Sequence, residues 1–395
     1  MDTLLKRTWA EIDLVVLKQN YRAIAEQLSS GCRMMAVVKA DAYGHGAVHV
    51  AKALVDAGAA WLGVSNLEEA IQLRRAGLTQ PVLILSYTPP AEAARLAEYD
   101  VTQTVISGDY ARRLSLAAKA AGVTLRVHIK LDTGMSRVGF VYAQPERDAS
   151  VLDELEAACR LPHLCAEGIF THFASADEED DRYTRQQYAC FTEAIERLAA
   201  RGITFAWRHC CNSAATLRHP EMHLDMVRPG IILYGLKPSE WMQPYLERLG
   251  LKPVMSILSG VSMVKTVPAG TPVSYGRIYQ APKPIRLATV PIGYADGYPR
   301  SFSNRAYMLV NGRQALVVGR VCMDQCLLDV TDIEGVGEDT PVTVMGQDGM
   351  SIDAFAALAG TINYEIVCGI GKRVPRVYVQ DGCVVAKCNY LLQGE

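Results

Sequence analysis

The sequence has no long uninterrupted apolar run and no excess of basic residues. No window of its 395 residues approaches the roughly 18 consecutive apolar side chains of a membrane-spanning helix. The net charge of −2 predicts that neither nucleic acid nor an anionic membrane is a partner. The amino terminus has no apolar signal core and predicts a cytoplasmic protein, because it is charged at Asp2, Lys6, Arg7, Glu11 and Asp13.

The cysteines also show no spacing pattern that is typical of disulfides or metal sites. The 11 cysteines are scattered, odd in number and without a C-x-x-C pair, and the adjacent Cys210 and Cys211 suit neither a disulfide nor a metal site. We interpret most of them as small buried hydrophobes that stay reduced, with Cys322 as a candidate wall of a site. No metal is predicted, and no repeat or low-complexity tract is present.

Short apolar runs alternate with amphipathic helical patterns from Thr8 to about Arg228. Asp13 is placed to cap a first helix. About eight strand–helix units follow, which favours a parallel (β/α)8 TIM-like barrel over an open doubly wound sheet. The strand-like runs are Met34–Val38, Trp61–Val64, Val82–Leu85, Thr102–Ile106, Leu125–Leu131, Glu167–Phe173, Phe205–His209 and one near Met226.

The alternation of strand-like and helix-like patterns ends at about Gly250. Runs rich in Val, Ile and Thr are punctuated by Gly and Pro, and only Ile352–Ala359 has the pattern of a sizeable helix. We therefore predict two domains, a barrel over residues 1–249 and a mainly β domain over residues 250–395.

The segment AVVKADAYGHG, residues 36–46, sets a lysine at the end of a buried strand. Burial disfavours the ammonium form, and the neutral amine of Lys39 would be a nucleophile toward aldehydes. A barrel demands that reactive groups follow its strands, and a group of polar residues does so: Lys39, Lys130, Asp132, His172, Asn212, Ser213 and Arg228.

At least six segments in the same order, among them PIGYADGYPR, resemble the alanine racemases, pyridoxal-phosphate enzymes of fold type III. Besides AVVKADAYGHG the others are HIKLDTGMSRVGF, MVRPGIILYG, VSYGRIY, GRVCMDQ and TINYEIVCGIGKRVPR. The resemblance spans essentially the whole chain. It implies that the protein interconverts L-alanine and D-alanine with pyridoxal 5′-phosphate and supplies D-alanine for peptidoglycan.

The resemblance also implies roles for residues of the barrel. Lys39 would hold the cofactor as an imine and act as the base on the D-alanine face, while Arg228, joined by His172, would hydrogen-bond the pyridine nitrogen. Arg137 would bind the substrate carboxylate or the ring hydroxyl oxygen, and Lys130 is a candidate carbamate paired with Arg137. The phosphate set would be Tyr43, Asn212, Ser213, Tyr364 and the amides of Gly230 and Ile231, although Ser213 is equally suited to cap a helix.

The β domain would supply the second half of the site. Tyr275 would be the base on the L-alanine face, because racemisation moves protons on opposite faces of one carbon. Tyr294 would lie near the entrance, and the Met323 amide, flanked by Cys322 and Asp324, would contact the substrate carboxylate. In the family these residues reach a partner's site, which implies a head-to-tail homodimer with composite active sites.

Three other functions fit parts of the pattern. A broader amino-acid racemase would share the scaffold, and a non-catalytic cofactor-carrying barrel would need only the Lys39 half. A metal-dependent barrel hydrolase could use carbamylated Lys130 with His172 and His209, although no early H-x-H pair is present.

Overall fold

The computed structural model describes residues 7–392. Asp2 and Lys6, part of the charged amino terminus, lie outside the described residues. Two compact units divide the chain: residues 18–42 with 50–251, and residues 7–17, 43–49 and 252–392. In the described part, no helix is both long and apolar enough to cross a membrane.

Strand β1 (Thr8–Asp13) belongs to the second unit and leads into the helix Leu14–Ala25. Asp13 Oδ1 accepts the backbone N–H groups of Val15 and Val16 at 2.8 and 3.0 Å. The cap satisfies helix donors that otherwise have no partner, as the sequence predicted.

Eight parallel strands form the nearly closed barrel of the first unit, in the order β10-β2-β3-β4-β5-β6-β8-β9. Backbone bonds from Asp225 N to Arg208 O (3.1 Å) and from Arg228 N to Cys211 O (3.0 Å) join the two outer strands. The open-sheet alternative is therefore wrong. The strands are β2 (Arg33–Val37), β3 (Trp61–Val64), β4 (Val82–Ile84), β5 (Thr102–Val105), β6 (Leu125–Asp132), β7 (Phe140–Val141, paired with β6), β8 (Leu164–Phe170), β9 (Trp207–His209) and β10 (Met226–Val227).

Helices alternate with these strands, and their apolar faces are buried. The barrel interior contains Met35, Trp61, Leu83 and Met226. The helices are Ala47–Asp56, Leu67–Arg75, Ala93–Glu98, Gly108–Ala120, Val151–Cys159, Arg182–Ala199, Ser213–Arg218 and Gln243–Leu249.

The second unit is mainly β, as the sequence predicted. Its sheet has ten strands in the order β12-β15-β18-β17-β16-β19-β11-β1-β20-β21, and β13 pairs separately with β14. Its two helices are Ile352–Ala359 and Asn363–Cys368. The strands are β11 (Met255–Gly260), β12 (Met263–Val267), β13 (Pro272–Val273), β14 (Tyr279–Gln280), β15 (Ile285–Val290), β16 (Tyr307–Val310), β17 (Arg313–Val317), β18 (Cys326–Asp329), β19 (Pro341–Met345), β20 (Arg376–Gln380) and β21 (Cys383–Cys388).

Candidate active site

Lys39 follows β2 and opens a left-handed turn. Four consecutive non-glycine residues, Ala40 to Tyr43, have φ between 52° and 54°. This conformation costs roughly 1–2 kcal/mol per residue, so neighbouring contacts must hold it. Ala42 N donates to Val38 O at 2.9 Å inside the turn. Gly44 follows these four residues, and the position requires glycine because a Cβ there would stand 2.0 Å from Val367 O.

Lys130 lies inside the barrel at the end of β6, with 5% of its surface exposed. Burial, followed by the charges of Arg228 and Arg137, lowers the pKa of its amine well below the usual value, and Asp132 opposes the shift. Its Nζ stands 4.6 Å from the centroid of the Phe170 ring. Burial and the two guanidinium charges, rather than this ring contact, favour the uncharged form of the amine.

Arg137 lies in the loop after β6 and is exposed. Asp132 shapes that loop, since its Oδ1 accepts from Gly134 N and Ser136 N, both at 3.0 Å. Among the described residues no hydrogen bond joins Arg137 to Lys130, so their pairing stays a prediction.

Arg228 follows β10 and is 4% exposed. Its Nη2 donates to Thr171 O (2.8 Å) and Cys210 O (3.1 Å) and stands 3.3 Å from His172 Nδ1. Burial lowers the pKa of the guanidinium to about 10, which still leaves it charged at neutral pH. Within residues 7–392 no carboxylate pairs with this buried cation, which is unusual because buried charges are normally compensated.

Two histidines extend the hydrogen bonds of Arg228 through the barrel interior. His209 Nδ1 accepts from Arg228 Nη1 at 2.8 Å, and His209 Nε2 stands 2.9 Å from His128 Nδ1. Burial, with the Arg228 cation also contributing, lowers the pKa of both imidazoles. Because an arginine can only donate, neutral His209 must carry its proton on Nε2 and His128 on its own Nε2. His128 Nε2 then faces Glu167 Oε1 at 3.7 Å.

These two histidines were not predicted as a chain to Arg228. His128 opens the HIKLDTGM segment and His209 ends β9, so both lay in strands that the sequence identified. Gly168 leaves room for the His128 ring, because a Cβ there would stand 2.6 Å from its Cε1, Nδ1 and Nε2 atoms. A polar residue in the middle of an apolar barrel strand is the signal that could have revealed His128.

Ser213 and Gly230 meet within the barrel unit. Ser213 Oγ accepts from Gly230 N at 2.9 Å, which leaves the hydroxyl hydrogen to donate elsewhere. The helix cap is Asn212, whose Oδ1 accepts from Ala215 N at 3.0 Å. The buried Ile231 opens a single-turn 3-10 helix, and its N–H has no acceptor among the described residues. Such an orphan donor is suited to an anion.

Tyr43 and Tyr364 meet in the second unit, with ring centroids 6.1 Å apart. Burial raises the pKa of the Tyr43 phenol. His45, two residues on, is buried, with its Nδ1 2.9 Å from Tyr43 O. The two tyrosines predicted to bind phosphate are therefore neighbours.

Tyr275 is 71% exposed and lies in a strained turn. Ser274 has φ 62° and ψ −172°, a region that glycine almost alone adopts. Ser274 Oγ holds it by donating to Arg320 O at 2.6 Å. The same Oγ stands 3.4 Å from Cys322 Sγ, so the turn lies against the segment that carries Cys322.

The Tyr294 turn pairs with the Met323 turn. Tyr294 N donates to Cys322 O (3.1 Å) and Ala295 N to Met323 O (3.0 Å).

Buried Asp296 closes the Tyr294 turn, since it accepts from Gly293 N (3.0 Å) and from Arg7 Nη1 and Nη2 (3.0 and 2.7 Å). Arg373 Nη1 meets Asp324 Oδ1 at 2.8 Å. The Met323 N–H has no acceptor in the described part of the chain.

Comparisons with known proteins agree on one family. The model of the alanine racemase N-terminal domain matches residues 12–238, and that of the C-terminal domain matches residues 254–378. The alanine racemase of Desulfovibrio desulfuricans is 49% identical over 372 residues, which cover 94% of this chain and 98% of that protein.

Two solved structures extend the comparison. Alanine racemase from Bacillus anthracis with bound L-Ala-P has a TM-score of 0.91 and 39% identity, and the match covers 98% of this chain and 99% of that one. Alanine racemase from Bartonella henselae with covalently bound pyridoxal phosphate has a TM-score of 0.83 and 28% identity, covering 94% and 99%. The chain belongs to the alanine racemase family, whose members are pyridoxal-phosphate-dependent isomerases.

Proposed function

We propose that this protein interconverts L-alanine and D-alanine by a two-base mechanism and supplies D-alanine for peptidoglycan. The observation that carries the proposal is the buried Arg228 guanidinium, which lacks a carboxylate partner among the described residues and lies next to Lys39 in the barrel order. Val37 N donates to Pro229 O at 3.1 Å, so the two residues follow hydrogen-bonded strands. A cation so placed suits an uncharged acceptor such as a pyridine nitrogen.

Each of the two units offers hydrogen-bond donors of the kind that pyridoxal phosphate needs. Arg228 would face the ring nitrogen, and the phosphate would be held by the hydroxyls of Tyr43, Ser213 and Tyr364 and the amide of Ile231. Gly230 N donates to Ser213 Oγ, which suggests that it orients this hydroxyl, while Asn212 fixes the helix that begins at Ser213. When bound, the cofactor would accept electron density from the α-carbon of the substrate.

The proton transfers would fall to two side chains of this protein. Lys39 would take or return the α-proton on the D-alanine face, and Tyr275 would do so on the L-alanine face. Arg137 and the Met323 amide would bind the substrate carboxylate, flanked by Cys322 and Asp324. His172 would support Arg228, to which its Nδ1 lies at 3.3 Å.

A head-to-tail homodimer is part of the proposal. Tyr275, Tyr294 and Met323 are 71%, 43% and 51% exposed in the single chain. Large side chains so exposed are candidates for a contact surface, and we propose that they complete the site of a second copy. A cytoplasmic location stays a prediction.

Lys130 is proposed as the carbamate. Carbon dioxide adds to a neutral amine, and the lowered pKa of buried Lys130 supports that form. The resulting anion would be compensated by Arg137, which already influences the Lys130 amine through its charge.

The metal-dependent hydrolase has less support. It needs His209 as a ligand, but both ring nitrogens of His209 are engaged, one with Arg228 and one with His128. Within residues 7–392 no group of three or more His, Cys, Asp or Glu residues could hold a metal ion.

The test is a panel of amino acids, each incubated with the enzyme and pyridoxal phosphate in deuterium oxide. We expect both alanine enantiomers to gain deuterium at Cα and to interconvert, and a Lys39→Ala variant to lose the absorbance of lysine-bound cofactor. Exchange with serine as fast as with alanine would favour the broader racemase. Absence of exchange with every amino acid would contradict the proposal.

We predict that Gly293→Ala disrupts the contact between the Tyr294 and Met323 turns. A Cβ would stand 2.3 Å from both Cys322 O and Met323 O, so rigid backbone must move. Overpacking of this kind costs about 1–3 kcal/mol. We expect a lower melting temperature, and a higher KM for alanine because the Met323 amide is displaced.

Gly337→Ala is the matched control, since no heavy atom lies within 4 Å of its added Cβ. It should leave the melting temperature and KM near the wild-type values. If Gly293→Ala behaves like this control, the packing of the two turns does not position Met323.

A further inference from the structure

The Glu69 carboxylate joins the ends of two neighbouring barrel strands. Its Oε1 accepts from Ala40 N, after β2, and its Oε2 accepts from Ser65 N, after β3, both at 2.7 Å. The side chain is half-buried. One acidic group therefore binds two backbone amides from segments 25 positions apart in sequence.

Helix capping explains only one of these bonds. Glu69 lies in the first turn of the helix Leu67–Arg75, whose N-cap Asn66 accepts from Glu69 N at 2.9 Å. A glutamate at this position commonly reaches back to the backbone at the helix start, as the bond to Ser65 N does. The bond to Ala40 N leaves the helix altogether, so it calls for another reason.

Ala40 is the residue directly after Lys39 and the first of the four left-handed residues. Ala40 N belongs to the peptide that joins Lys39 to Ala40, so the orientation of this peptide sets the direction in which the backbone leaves Lys39. Left-handed runs persist only where surrounding contacts determine them. Hydrogen bonds to a charged carboxylate are among the strong ones, and this one holds the first peptide of the run.

We propose that Glu69 is a positioning residue for Lys39: by holding the Ala40 amide, its carboxylate keeps the left-handed turn in place and so directs the Lys39 amine. This inference rests on the proposed function in that Lys39 is taken as the cofactor lysine and one of the two bases. Glu69 itself touches neither substrate nor cofactor in this proposal.

The test uses Glu69→Gln in the full-length enzyme with pyridoxal phosphate bound. Glutamine has the same size, but it is uncharged and its NH2 cannot accept a hydrogen bond. One of the two amides therefore loses its acceptor, and the other loses the negative charge of its acceptor, so the Ala40 N–H bond is weakened in either orientation. We expect hydrogen exchange of the segment 39–43 to rise roughly 10- to 100-fold, in line with the loss of one hydrogen bond to a charged group. We also expect kcat to fall at least about tenfold by the same reasoning, with KM for alanine nearly unchanged.

Two control variants separate positioning from general damage. Glu68→Gln changes the adjacent, exposed glutamate and should match wild type in exchange and in kcat. Asn66→Ala removes the ordinary helix cap, so it should lower the melting temperature while leaving the exchange of segment 39–43 unchanged.

If hydrogen exchange of segment 39–43 in Glu69→Gln matches that of wild type, the proposed clamp, which is the hydrogen bond from the Ala40 amide to the Glu69 carboxylate, is overturned. Faster exchange with an unchanged kcat would overturn its role in positioning Lys39, even though the bond exists. If wild type itself fails to racemise alanine, the proposed function fails, whereas the exchange measurement still reports on the clamp.

Discussion

Replacing Tyr275 by phenylalanine should abolish racemisation while leaving the fold intact. Loss of a general acid–base group lowers a rate by about 10²- to 10⁴-fold, and we expect kcat to fall at least that far in both directions. The side chain is 71% exposed, and its hydroxyl makes no hydrogen bond within residues 7–392. Removing one oxygen there should therefore leave the melting temperature unchanged.

The two-base proposal makes this defect asymmetric. If Lys39 serves the D-alanine face, Tyr275→Phe should still exchange the α-proton of D-alanine with deuterium oxide, because that step needs only the amine. Exchange at Cα of L-alanine should disappear, because its proton lies on the face from which the base was removed. NMR of each enantiomer in deuterium oxide separates the two half-reactions.

Tyr279→Phe is the matched control, four residues away. Tyr279 is partly buried and packs against the core cluster that contains Val273, Ala281 and Leu287. Loss of its hydroxyl therefore tests stability rather than proton transfer. We expect wild-type kinetics from it. Equal loss of exchange with both enantiomers in Tyr275→Phe, or near-normal turnover, would contradict the assignment of Tyr275 to one face.

The barrel could be predicted because its signal is local. Each strand of β2 to β10, apart from the two-residue β7, overlaps or adjoins a strand-like run identified in the sequence, and parallel connectivity places the end of every strand on the same side. Lys130, His172 and Arg228 were predicted to cluster for this reason, and the charges of Arg228 and Lys130 do lower the pKa of His172, after burial. The roles of individual residues were predicted from the motif segments, because periodicity predicts strands and helices but not chemistry.

Other features depend on contacts distant in sequence. Strand β1 pairs with β11 and β20, more than 240 residues away, although its pattern matched the barrel region that follows. The left-handed turn contains Ala40 and Ala42, residues with no preference for that conformation, so only tertiary contacts determine it. His128 and His209 pair across two strands, which no single-strand pattern encodes.

Arg228→Glu should shift the reaction from racemisation toward transamination. Arginine can only donate, so under the proposed function a ring nitrogen facing Arg228 would have to accept and stay unprotonated, which would keep the cofactor a weak electron sink. A glutamate would instead stabilise a protonated nitrogen and a longer-lived carbanion. We expect at least about a tenfold rise in pyruvate released per D-alanine formed, equivalent to about 1.4 kcal/mol between the two barriers.

The same substitution should reverse the proton positions in the histidine chain. His209 Nδ1 now accepts from Arg228, and a glutamate would require it to donate. His209 Nε2 would then accept from His128 Nδ1, and His128 Nε2 would lose its proton. Chemical shifts of the imidazole nitrogens, read by ¹⁵N NMR, report this reversal in the folded protein whether or not the enzyme turns over.

Arg228→Lys is the conservative comparison, and it also guards against misfolding of the glutamate variant. It keeps a donor and a positive charge but loses the planar fork that now contacts Thr171, His209 and Cys210. We expect slower racemisation with little added transamination, and no reversal at His209. If both variants release the same share of pyruvate as wild type, the charge at position 228 does not set the fate of the carbanion, and the pairing of Arg228 with the ring nitrogen loses its chemical rationale.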